Sequence, residues 1–140
     1  MTVAWMQPGE IFATRYRVLE PIALGGFAQV YGATRIADGQ PVALKVLRRD
    51  ALAEDAAAVR RFEQEIKVAI ALEHEHIVRT LDGGSDGDRL YLIMERLRGH
   101  TLAKRLHTPA SEATTRHVIG AILRALDFAH GRGIVHRDLK

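Results

Sequence analysis

The chain has 140 residues, 47% of them apolar and 26% charged, which is the balance of one globular domain with a core of its own. The net charge of +3 is mild and the signs interleave, as in Arg60-Arg61-Phe62-Glu63-Gln64-Glu65, so no basic tract marks a nucleic-acid partner. The absence of cysteine excludes a disulfide scaffold and a Cys-based zinc site. No apolar run approaches the ~20 residues that span a bilayer. The start, Met1 to Pro8, lacks the basic and apolar stretches of a signal peptide, so a cytoplasmic location with no membrane segment in this chain is expected.

The first half alternates short β-type runs with turn signals. Residues 16–20 read as a strand, residues 29–35 as a second, and residues 41–47 as a third after the Asp38-Gly39 turn, giving an antiparallel meander. A helix is predicted over residues 52–72, with Leu52, Ala56, Val59, Phe62, Ile66 and Ile70 as an apolar stripe toward the sheet. Strands near residues 77–81 and 90–95 follow, separated by the turn formers Asp82-Gly83-Gly84-Ser85-Asp86-Gly87-Asp88. Past Gly99 the pattern is helical. Thr101 caps a short helix through His107, and Pro109 and Ser111 open a longer one with Val118, Ile122, Ala125, Leu126 and Ala129 on one face. Gly131 and Gly133 end it. The expected fold is α+β, a small sheet lobe joined by a short connector to helices.

Three segments carry chemistry. The run Ile22-Ala23-Leu24-Gly25-Gly26-Phe27-Ala28-Gln29-Val30 joins two strands, and a hairpin of that kind brings backbone N–H groups close to phosphate oxygens, although a plain tight turn explains it equally well. Lys45 stands in the apolar strand Val42-Ala43-Leu44-Lys45-Val46-Leu47. Either it snorkels to the surface or its charge is paired, with Glu65 on the following helix as partner and Glu63 as competitor. In Ile134-Val135-His136-Arg137-Asp138-Leu139-Lys140, Asp138 is either an ordinary loop carboxylate or an acceptor for a substrate hydroxyl proton. Lys140 is placed to neutralise a transferring phosphoryl group.

Taken in order, the glycine hairpin, Val42-Ala43-Leu44-Lys45, Arg61-Phe62-Glu63-Gln64-Glu65, Met94-Glu95-Arg96-Leu97 and His136-Arg137-Asp138-Leu139-Lys140 resemble the protein kinase superfamily, specifically the eukaryotic-like serine/threonine kinases of bacteria. The resemblance runs from about Glu10 to Lys140 and is strengthened by Arg15-Tyr16-Arg17-Val18 and Leu72-Glu73-His74-Glu75-His76-Ile77-Val78. It implies a kinase-like fold: a five-stranded antiparallel N-lobe with one main helix, then the first helices of a truncated C-lobe. Residues 1–14 would be an N-terminal extension, residues 15–97 the N-lobe and connector, and residues 98–140 the start of the C-lobe.

The resemblance also implies roles. Lys45 would hold the α- and β-phosphates of ATP, itself held by Glu65. Ile22, Val30 and Ala43 would sandwich the adenine, with Gly25 and Gly26 at the phosphates. Met94 would back the ring, and Glu95 to Leu97 would offer backbone hydrogen bonds to its edge. Asp138 would be the catalytic base, Lys140 the γ-phosphate contact, and His136 a packing residue. The partners implied are ATP and a protein substrate bearing Ser or Thr. Mg²⁺ ligands are expected beyond Lys140, with none inside the chain, so residues 1–140 by themselves are expected not to catalyse transfer. The alternative is a regulatory half-domain, pseudokinase-like, that binds a nucleotide or a kinase. Ala23 and Ala28 replace two glycines of the family's loop, and the added methyls, which disfavour positive φ, predict weaker closure on phosphate but not its loss, since Gly25 and Gly26 keep the tip open.

Overall fold

A computed structural model describes residues 2–26, 28–48, 56–135 and 139. Its strands are β1 (Ile11–Phe12), β2 (Tyr16–Leu24), β3 (Ala28–Arg35), β4 (Pro41–Arg48), β5 (Thr80–Asp86) and β6 (Arg89–Glu95), and its helices are α1 (Ala56–Ala71), α2 (Leu102–Arg105) and α3 (Glu112–His130). The strands form one antiparallel sheet in the order β1-β2-β3-β4-β6-β5.

Six strands stand where five were expected. The additional β1 pairs Phe12 with Tyr16 around Ala13 and Thr14, whose φ values of 49° and 56° are left-handed. A turn of that kind is normally announced by glycine or asparagine, and here it is not. The Ala13 N–H donates to Asp86 Oδ2 at 3.3 Å, a contact that holds the turn from across the sheet.

The second difference concerns β5. The expected strand at residues 77–81 begins only at Thr80 and runs straight through the turn formers to Asp86, leaving Gly87 (φ 58°) and Asp88 as the turn. Packing overrides propensity here. A Cβ on Gly83 would press into the Ile66 side chain and lie 3.1 Å from the Tyr91 carbonyl oxygen, and one on Gly84 would lie 3.3 Å from the Tyr91 hydroxyl. These glycines are the seat of α1 and of Tyr91 rather than a loop.

The chain divides into two compact units, Met1–Ala71 with Arg79–Leu97, and Leu72–Val78 with Arg98–Lys140. In the first unit, directly opposed residues of neighbouring antiparallel strands share a face. Tyr16, Val18, Tyr31, Ala33, Val42, Leu44, Val46, Tyr91 and Ile93 turn to one side and are buried, and Met6 and Phe12 from the segment before β2 complete that core. On α1, Ile66 is buried, Val59 and Phe62 are half-buried, and Ile70 is 43% exposed, so the expected stripe meets the sheet mainly through Ile66. Leu52 lies outside the described residues.

In the second unit both helices are capped as the sequence predicts. Thr101 Oγ1 accepts from the Lys104 N–H at 3.2 Å, Ser111 Oγ accepts from the Thr114 N–H at 3.1 Å, and the Gly131 N–H donates to the Asp127 carbonyl at 2.9 Å. Neither helix has a buried residue. Val118, Ala125, Leu126 and Ala129 are half-buried, Ile122 is exposed, and they line an open groove of about 580 Å³ with Leu72 and Ile77. The His74 ring packs 4.9 Å from Phe128, and Arg124 Nη2 lies 3.2 Å from His76 Nε2.

Candidate functional site

Strand register decides what lies on the sheet face opposite the core. Ala23 faces Val30, Val30 faces Lys45, and Lys45 faces Leu92; one row along, Gly32 faces Ala43 and Ala43 faces Met94. Because paired residues share a face and side chains alternate along a strand, these two rows lie side by side. The middle of the face is therefore Gly32 and Ala43, two small residues that are both buried, with the Arg96 and Glu20 side chains lying over Gly32. Val30 and Met94 are half-buried at its edges, Ala43 is buried, and Lys45 is half-buried among them. Ala43 with Val30 and Met94 beside it is a small apolar floor suited to a planar ring, with Lys45 in the adjoining row.

The hairpin between β2 and β3 closes with the Gly25 N–H donating to the Ala28 carbonyl at 3.0 Å. A Cβ on Gly25 would lie 2.8 Å from that same oxygen, so the turn requires glycine there, whereas nothing stands within 4 Å of the space above Gly26. Ala23 and Ala28 both sit in extended strand, not in the positive-φ backbone that alanine disfavours. Two alanines in a glycine loop thus impose no backbone strain here. Ile22 lies at the register irregularity between Pro21 and Ala23 and is 52% exposed.

At the other edge, the chain leaving β6 is fixed to residue 79. The Glu95 N–H donates to the Arg79 carbonyl at 2.9 Å, and Glu95 Oε1 accepts from the Arg79 N–H at 2.8 Å. The Glu95 N–H is so engaged, and Leu97, 65% exposed, ends the first unit.

Lys45 and Glu65 belong to the same unit, but Glu65 is exposed, and among the described residues no ion pair joins them. Glu63 is exposed as well. His136, Arg137, Asp138 and Lys140 lie outside the described residues. No group of three His, Cys, Asp or Glu side chains suited to a metal ion occurs among the described residues.

A side-chain contact among three residues of this face has no counterpart in the sequence reading, which gave Arg96 only a backbone role. Arg96, just past β6, reaches back to an ion pair with Glu20 of β2, and the guanidinium passes over Gly32. The Arg96 hydrogen bond, with a smaller contribution from the backbone of Glu20, holds the Glu20 carboxyl below its ordinary pKa. A glycine in the middle of an eight-residue strand is the signal that marks such a close approach.

Comparison with known proteins agrees with this architecture. Residues 16–140 match the family model described as protein kinase domain. The chain is 38% identical over 138 residues to the probable serine/threonine-protein kinase PknB of Lactococcus lactis, covering 96% of this chain and 22% of that protein. It is 37% identical over 134 residues to the serine/threonine-protein kinase PrkC of Bacillus subtilis, covering 94% and 20%. The PknI kinase domain of Mycobacterium tuberculosis superposes with a TM-score of 0.81 at 31% identity, over 96% of this chain and 55% of that one. The chain therefore spans about a fifth of these curated relatives and just over half of the solved kinase domain. With the antiparallel sheet, the glycine hairpin and the strand lysine all in their places within the matched residues, the chain belongs to the protein kinase family.

Proposed function

We propose that this chain is the ATP-gripping part of a serine/threonine protein kinase, and that the whole protein transfers the γ-phosphoryl group of ATP to Ser or Thr hydroxyls of proteins in the cytoplasm. The observation that carries the reading is the juxtaposition of a small-residue floor at Ala43, flanked by Val30 and Met94, with Lys45 in the adjoining row. The adenine lies on Ala43 between Val30 and Ile22, with Met94 behind it and the backbone of Glu95 to Leu97 along its edge. The hairpin at Gly25 and Gly26 admits phosphate oxygens, and Lys45 neutralises them. Glu65 supports Lys45 once α1 brings it closer. Asp138 accepts the proton of the substrate hydroxyl and Lys140 steadies the γ-phosphoryl group, roles that rest on the family motif alone. Mg²⁺ supplies charge neutralisation in kinases, and its ligands are expected outside these residues.

The test is a transfer assay with Mg²⁺-ATP on the whole protein beside Lys45→Met and Asp138→Asn. Transfer to Ser or Thr that drops at least a hundredfold in both variants is the expected result. ATP binding without transfer by the unaltered whole protein would replace the enzyme reading with the regulatory one. Residues 1–140 alone are expected to bind ATP without transferring phosphate.

A further inference from the structure

The Arg96–Glu20 pair differs from the Arg35–Asp38 and Arg15–Asp82 pairs of the first unit in what it connects. Arg35–Asp38 is a local contact three residues apart. Arg15–Asp82 links residues whose neighbours Tyr16 and Leu81 pack with the core face. Arg96 and Glu20 are 76 residues apart and meet on the small-residue face, joining the connector after β6 to β2, the first strand of the glycine hairpin. Between them lies β3, and at the crossing point β3 has Gly32. A Cβ there would come 3.0 Å from Arg96 Cζ and 2.8 Å from Glu20 Oε2, so any larger residue displaces the pair. The planar guanidinium lies over bare backbone, a geometry that a flexible ammonium does not reproduce.

We infer that Arg96 is a positioning residue for the nucleotide slot: paired with Glu20 over Gly32, it latches the connector to the hairpin strand and so sets how readily the outer edge of the slot opens. The inference rests on the ATP reading above and goes beyond it, because it gives the side chains of Arg96 and Glu20, with Gly32 beneath them, control of nucleotide residence, where the family resemblance gives the connector only backbone hydrogen bonds. The connector would hold the purine edge and the hairpin the phosphates. A tie between them slows the parting of the two grips, and dissociation is where interactions of this size are felt. Both side chains are part-exposed, 28% for Arg96 and 53% for Glu20, so the effect is modest and weakens with salt.

The experiment uses the full chain with a fluorescent ATP analogue as probe. Dissociation rates are measured at low and high salt for Glu20→Gln, Arg96→Gln, the double variant, Gly32→Ala, and the charge swap Glu20→Arg with Arg96→Glu. Each single change and Gly32→Ala are expected to speed dissociation about two- to fivefold at low salt. The double variant should add nothing further, the difference between each single variant and the unaltered chain should shrink at high salt, and the swap should recover most of the loss, which a merely structural role would not give. Unchanged rates in the singles, or singles whose effects simply add, would overturn the latch. Hydrogen exchange of the residue 20–23 amides is read in parallel without nucleotide. Faster exchange in the singles supports the tie, and unchanged exchange refutes it. Failure of the unaltered chain to bind the analogue would count against the ATP reading, leaving the latch to be decided by the exchange data.

Discussion

The two faces of the first unit's sheet differ in size, polarity and wetness. On one side Tyr16, Tyr31, Leu44, Val46 and Ile93 are large and fully covered, with Met6 and Phe12 laid over them. Even the polar atoms there are satisfied. The Gln29 side-chain N–H donates to the Val3 carbonyl at 2.8 Å, its Oε1 accepts from the Trp5 N–H at 2.9 Å, and the Tyr31 hydroxyl accepts from the same N–H at 2.8 Å and donates to Gln29. On the other side Gly32 and Ala43 offer almost no side chain, and Lys45 stands half-exposed beside them. The first face carries the larger buried side chains, whereas the second is covered in part by Ile66 of α1 at Gly83 and Leu92 and by the Arg96–Glu20 pair at Gly32, with Ala43 small between them. The N-terminal segment matters to this division, since it lets the covered face do without a second layer of structure.

The comparison breaks first if the covered face is not the source of stability. Leu44→Ala removes a fully buried side chain and is expected to lower stability by about 2–5 kcal/mol, read from the urea midpoint. Gln29→Leu comes next. It leaves the Val3 carbonyl without its donor and the Trp5 N–H with one acceptor fewer, and a loss of about 1–3 kcal/mol is expected by the same measurement. A smaller effect is tied to pH. Burial, then the hydrogen bond to Asp82, pushes the Tyr16 hydroxyl up to about 12 from an ordinary value near 10. A raised value means the folded state holds the proton more tightly, so this contribution is complete below pH 10 and is lost as pH rises toward 12. Tyr16→Phe should flatten the fall of the urea midpoint across that window. Smallest of all, Lys45→Met on the open face should change stability by less than about 0.5 kcal/mol.

Much of this division is legible in the sequence, for identifiable reasons. The alternation in β3 and β4 puts Val42, Leu44 and Val46 on one face and Ala43 and Lys45 on the other, and the caps Thr101 and Ser111 announce their helices. What stayed hidden was non-local. The β1 strand is two residues long and turns through alanine and threonine, so no local signal marks it. The glycines of β5 look like a loop until Ile66 and Tyr91 are placed against them. The Arg96–Glu20 contact depends on a register that brings together residues 76 positions apart. The lysine and its hairpin could be read because each is a local pattern. Glu65 is offered by the sequence as the partner of Lys45, but whether the two meet depends on where a whole helix sits, and no ion pair joins them among the described residues.

The most direct test of the central claim is ATP affinity in Ala43→Leu, with the urea midpoint measured on the same sample. Ala43 is 9% exposed and occupies the middle of the open face, so a leucine there fills the space assigned to the adenine. The account predicts at least a tenfold loss of ATP affinity with the midpoint little changed. Undiminished ATP binding by a folded Ala43→Leu variant would contradict it and place the nucleotide elsewhere.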